Sequence, residues 1–207
     1  MATPDLTATI NAILTTTSDT TLLRAILADG GVAWHKTDAV LILNGVGGQH
    51  VTWPLKAFGY LMANDVLTWD WTYNIHGDFG QDSESGNAFI KHSSLTQSLV
   101  ATVAPQPQEL AGKAMISGIG KVVKVNIDLT KEDDGVWHLT VHAEHEVFDP
   151  EKQFEIIYRF GNFSPELSEM KDIQLDSLMY FQGTVHSKDE ESKHIIVQVL
   201  HHTVVLV

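Results

Sequence analysis

The sequence predicts a mainly β protein, α+β overall, in which a small mixed region precedes a meander of antiparallel strands. Three observations predict it. Apolar and polar side chains alternate with period two through most of the chain after residue 110. Turn pairs such as Asn44-Gly45, Gly47-Gly48 and Asp134-Gly135 break the runs where hairpins need them. Helical spacing of apolar residues is confined to the first thirty positions and one short stretch near Ser164–Asp172.

Taken in order, Leu6, Ile10, Ile13 and Leu14 follow Pro4-Asp5 at helical spacing. Leu22, Leu23, Ile26 and Leu27 follow the caps Ser18 and Asp19 and stop at Gly30-Gly31, so two short amphipathic helices are expected. Ala39–Leu43 and His50–Trp53 are expected as strands, Leu55–Ala63 as a helical turn or irregular stretch, and Val66–Tyr73 as an alternating strand. Gly77 to Gly86 is glycine-spaced and polar, which predicts a loop, and Ala88–Ile90 and Leu99–Val103 are further strand candidates. Ala104-Pro105-Gln106-Pro107-Gln108 is the best linker in the chain. It divides an N-terminal helical and β region, 1–104, expected to pack on the rest, from a domain at 108–207.

In the second half, Lys121–Leu129, Trp137–Phe148 and Phe154–Phe160 make three strands joined by an acidic tip and by the turn Asp149-Pro150. A short helix entered through Ser164-Pro165 follows, then a hairpin of Leu178–Ser187 and His194–Val207. Three strands, a helix and two strands, with Tyr180–His186 as a candidate fourth strand, resemble the OB fold over about half of the chain. The resemblance implies a five-stranded antiparallel barrel.

The chain has 207 residues and no cysteine, which excludes disulfides and thiolate metal sites. The absence of basic residues from Met1 to Asp19 argues against a secretory or mitochondrial leader, no apolar run is long enough for a membrane helix, and a cytoplasmic or nuclear location is expected. The formal charge is -13, shared as 4 basic and 9 acidic residues over 1–107 and 9 basic and 17 acidic over 108–207. Such a chain is repelled by phosphate at long range, so nucleic-acid binding would need a locally basic face. The sparse charge of the first half suggests a partly covered surface, by the second half or by a second copy in a homo-oligomer. Dinucleotide and phosphate-loop fingerprints, the G-x-S-x-G elbow and HExxH are all missing.

Three constellations could carry chemistry. His138, His142, Glu144 and Glu146 share one side of a strand and are suitable metal ligands, although a solvated sheet face is the commoner reason for such a pattern; His145 falls on the apolar side. His76-Gly77-Asp78, with His145 and then Arg159, resembles the iron/2-oxoglutarate dioxygenases. That resemblance implies a triad of His76, Asp78 and His145 on Fe2+, with Arg159 anchoring 2-oxoglutarate. Finally, the OB resemblance implies a ligand face on the second and third strands. It would use Lys121, Lys124, Trp137, His138, Tyr158 and Arg159, although Tyr158 shares its stripe with Phe154, Ile156 and Phe160. Trp53, Trp69 and Trp71 could line a pocket or fill a core. The leading expectation is a binding protein without catalytic activity or cofactor, for single-stranded nucleic acid first and a sugar or protein partner next. The oxygenase is the competing class.

Overall fold

The computed structural model describes residues 5–25, 31–44, 49–82, 85–128, 138–147, 152–161 and 173–205. The chain divides into two compact units: one of Thr9–Gly80 with Asn87–Ala114, the other of Met1–Ala8, Gln81–Gly86 and Met115–Val207.

The first unit is built on β1 (Ala8–Thr16), β2 (Thr21–Ala25), β3 (Val32–Asn44), β4 (His50–Met62), β5 (Thr72–Gln81), β6 (Ala88–Ser93) and β7 (Gln97–Ala101). Its strand order is β1-β3-β4-β6-β5, and β5 pairs again with β1, closing a five-stranded barrel. β4 and β6 run parallel, whereas β1 with β3 and β3 with β4 run antiparallel. β2 adds to β3, and β7 adds to β5. Ile10, Leu14, Leu41, Leu61, Ile75, Phe79 and Ile90 fill the interior.

The second unit repeats this plan with β8 (Met115–Asp128), β9 (His138–Glu146), β10 (Gln153–Arg159), β11 (Leu178–Lys188) and β12 (Ile195–Val204). The order is β8-β9-β10-β12-β11, with β11 returning to β8. Its parallel pair is β10 with β12. Leu139, Val141, Ala143, Phe154, Ile156, Tyr158, Phe160, Met179 and Phe181 are buried inside, as the alternation predicts. The five-stranded barrel expected of the second half is therefore present. Its short helix at Ser164–Asp172 and the acidic tip near Asp134 lie outside the described residues.

Several local expectations are corrected. The two helices expected at the start are strands over Ala8–Thr16 and Thr21–Ala25. Small Ala8 and Ala12 join Ile10 and Leu14 in a buried period-two stripe, and the many threonines favour extended backbone. Leu55–Ala63 belongs almost wholly to β4, which runs through Pro54 one residue before β6 joins at Leu55. Val66–Trp71 is a turn, with Asp70 at φ 63 and the Thr16 hydroxyl donating to the Thr68 carbonyl at 2.5 Å. The residues Gly77–Gln81, expected in a loop, continue β5. In β8 a bulge between Val122 and Lys124 shifts the alternation, so that Val122 and Val125 oppose the buried Ala143 and Val141 while Val123 is exposed.

Candidate functional site

In a closed barrel every second residue faces outward, so the outer face is a grid set by cross-strand register. On the first unit, β3 offers Trp34, Lys36 and Asp38. β4 sets Tyr60, Phe58 and Lys56 opposite them, and β6 continues the rows with Ser93, Lys91 and Phe89. The grid holds four aromatic rings and all three lysines of residues 1–107. Rows on one face are about 7 Å apart and strands about 4.8 Å apart, so the patch measures roughly 14 by 10 Å.

The rings form two contacting pairs. Trp34 and Tyr60 lie 5.4 Å apart at 45°, and Phe58 meets Phe89 edge-on at 6.0 Å and 76°. The Lys91 ammonium lies 6.0 Å from the centre of the Phe89 ring. Lys36 Nζ is 3.8 Å from Asp38 Oδ1, a long contact between side chains that are one third and one half exposed. All four rings are partly exposed, which leaves apolar area for a planar ligand while the lysines supply charge beside it.

The matching grid on the second unit, over β9, β10 and β12, is different. Its rows are Thr140, Arg159 and Gln198; His142, Ile157 and Ile196; Glu144 beside Glu155; and Glu146 beside Gln153. These rows contain no Phe, Tyr or Trp. Its organising feature is the Glu155 carboxylate, 2.5 Å from His142 Nδ1 and 3.1 Å from His194 Nδ1. The hydrogen bond from His142 holds the Glu155 carboxyl below its ordinary range, against the opposing effect of burial.

Of the residues expected to bind ligand, Lys121, Lys124 and Arg159 stand in successive rows on the outer face of β8, β9 and β10, whereas Tyr158 points inward. Tyr158, expected as a platform, is a core residue: fully buried, stacked on Phe181 at 4.0 Å and 13°, with its hydroxyl 2.9 Å from His145 Nε2. The correction follows from its stripe, since Phe154, Ile156 and Phe160 face inward with it. Lys121 is paired with Asp176 at 2.7 Å, and that contact raises its pKa. Lys124 is exposed on β8 opposite His142, and Arg159 is exposed on β10. Trp137 lies outside the described residues, as does the side chain of His138, whose backbone begins β9.

The oxygenase triad is likewise corrected. His76 and Asp78 are exposed on β5 of the first unit, whereas His145 is buried inside the second barrel with Nε2 engaged by Tyr158. Burial lowers the His145 pKa to about 4, the backbone of Ile119 opposing. Among the described residues no three His, Asp or Glu side chains come together as metal ligands. The three tryptophans do not share a pocket wall either: Trp53 packs in the core against Phe79, and Trp69 is exposed in the turn before β5.

No family model matches the sequence, and no curated protein does. Among solved structures, the wild-type single-stranded DNA binding protein from Thermus aquaticus is similar over 97% of this chain and 93% of its own, with a TM-score of 0.54 and 13% identity. A deletion variant of that protein gives 97% and 95% coverage, a TM-score of 0.51 and 14% identity. Both barrels are OB folds. At this level of identity the likeness fixes the architecture, and it extends to the first unit, where sequence reasoning did not expect a barrel. The missed residues had a signal nonetheless. Trp34-x-Lys36, Lys56-x-Phe58-x-Tyr60 and Phe89-x-Lys91 each alternate aromatic and lysine at the strand period.

Proposed function

We propose that the protein binds single-stranded nucleic acid on the outer face of β3, β4 and β6 of its first OB barrel. One observation carries the reading: Trp34, Phe58, Tyr60 and Phe89 are interleaved with Lys36, Lys56 and Lys91 on one sheet face. Bases present π-faces that stack on such rings whatever their sequence, and phosphates pair with lysines standing between the rings. OB barrels bind oligonucleotides and oligosaccharides on their second and third strands, which here are β3 and β4. A sugar would also stack on the rings, but it has no use for the lysines; a phosphodiester does. The name of the Thermus aquaticus neighbour accords with this assignment.

Among the described residues the matching face of the second barrel lacks the interleaving, and its Glu144, Glu146 and Glu155 oppose phosphate. The proposed site thus moves from the Lys121–Arg159 set to the first unit. Fluorescence anisotropy with a labelled oligothymidylate at low ionic strength tests the reading. Binding that weakens with salt and is lost in Trp34→Ala/Phe58→Ala is expected. An absence of binding at low salt, or binding to neutral oligosaccharide alone, would overturn it.

A further inference from the structure

We propose that Gly80 is a positioning residue of the nucleic-acid face, a seat without a side chain that holds the Phe89 ring tilted across β5 where a base can stack on it. This rests on the single-strand reading above and adds a residue that touches no ligand itself.

The argument begins with register. Gly80 lies on β5, the strand hydrogen-bonded to β6, and it belongs to the outward set of His76 and Asp78. A side chain there would stand up from the sheet. Instead the distal end of the Phe89 ring occupies that place: a Cβ on Gly80 would meet Phe89 Cζ at 2.3 Å, Cε2 at 2.7 Å and Cε1 at 2.9 Å. These distances are too short for any non-bonded carbon pair, so a methyl group at residue 80 forces the ring to leave. Gly80 has no positive φ that would call for glycine on backbone grounds. The requirement for glycine at this position therefore comes from the space that the Phe89 ring fills.

The ring's neighbours show what is lost when it leaves. Phe58 stands edge-on to it at 76°, and the Lys91 ammonium lies 6.0 Å from its centre. Because the two rings are nearly perpendicular, they cannot both lie along the sheet, and Phe89 is the one that reaches across a neighbouring strand. Displaced, it would rise into the path of a strand laid over Phe58 and Lys91. A single methyl group thus removes one platform while the lysines, on β3, β4 and β6, keep their places.

The test is a double-mutant cycle of Gly80→Ala and Phe89→Ala, read by oligothymidylate anisotropy at several salt concentrations and by urea unfolding. Gly80→Ala is expected to weaken binding roughly tenfold, the size of one lost base stack, with the salt slope unchanged. Phe89→Ala should weaken binding similarly, and the double variant no further. In unfolding, Gly80→Ala should cost stability in the wild-type background and little in Phe89→Ala, where the space is open. Wild-type affinity in Gly80→Ala, multiplicative losses in the double variant, or an equal stability cost in both backgrounds would overturn the proposal. If the wild-type protein itself fails to bind at low salt, the single-strand reading falls first, and that failure is distinct from failure of the cycle.

Discussion

The salt dependence of binding follows from the number of lysines on the face, and it can be worked out before any measurement. Lys36, Lys56 and Lys91 are the lysines of the grid, with Asp38 Oδ1 at 3.8 Å from Lys36, and together they can neutralise three phosphates. For single strands the slope of log K against log salt is about -0.7 per phosphate, so a slope near -2 is expected. Raising salt from about 50 to about 200 mM should then weaken binding roughly twentyfold. Lys91→Gln removes one contact, which lowers the slope to about -1.4 and the loss over the same range to roughly sevenfold. Lys124→Gln on the second barrel should leave the slope alone. The assay is anisotropy titration of an oligothymidylate at four or more salt concentrations, with far-UV circular dichroism to confirm folding. A slope close to zero, or one that falls for Lys124→Gln and not for Lys91→Gln, would refute the placement of the site.

Two further outcomes are expected. Trp34→Ala, Phe58→Ala and Tyr60→Ala should each cost about 1–3 kcal/mol of binding, and Trp34 fluorescence should be quenched by oligonucleotide in the parent protein; unchanged affinity in all three variants would count against stacking. Each barrel should also lose stability in acid, because His92 and His145 are buried and their pKa values are lowered to about 4, mainly by desolvation. Folded values below the unfolded one mean that the stabilisation is complete above pH ~6.5 and is lost as pH falls from there toward ~4, about 3 kcal/mol per histidine. Urea midpoints between pH 7.5 and 4.5 check this, and His145→Gln should flatten the second barrel's share.

The inside of the second barrel was legible because its apolar stripes are long and unmixed: Leu139, Val141 and Ala143 in β9, with Phe154, Ile156 and Tyr158 in β10, could only face one way. His145 was placed on the buried side by the same count. The first barrel was hidden because its opening strand is buried partly through alanine, so that Ile10, Ile13 and Leu14 stand out at helical spacing while Ala8 and Ala12 escape notice. Register hid the binding face as well. Trp34, Phe58 and Phe89 are far apart in sequence and become neighbours only when β3, β4 and β6 align, and the sequence does not state which residues will pair. Tyr158 is the opposite case: its aromatic stripe favours a core, as the structure shows, and only the OB resemblance makes it a ligand residue.

The net charge of -13 adds a kinetic consequence that separates contact from attraction at a distance. A basic protein is steered toward nucleic acid, so its association rate falls as salt rises. Here the acidic remainder of the chain repels the phosphate backbone, and the three lysines act only within a Debye length, about 8 Å near physiological ionic strength. Screening therefore relieves repulsion during approach and weakens the lysine contacts after docking. The association rate should stay level or rise between about 50 and 200 mM salt, and the whole of the affinity loss should appear as faster dissociation. Stopped-flow mixing with a labelled oligothymidylate resolves the two rates. An association rate that falls steeply with salt would mean that a wider basic surface guides the strand in. A three-lysine patch among aromatic rings could not produce that behaviour.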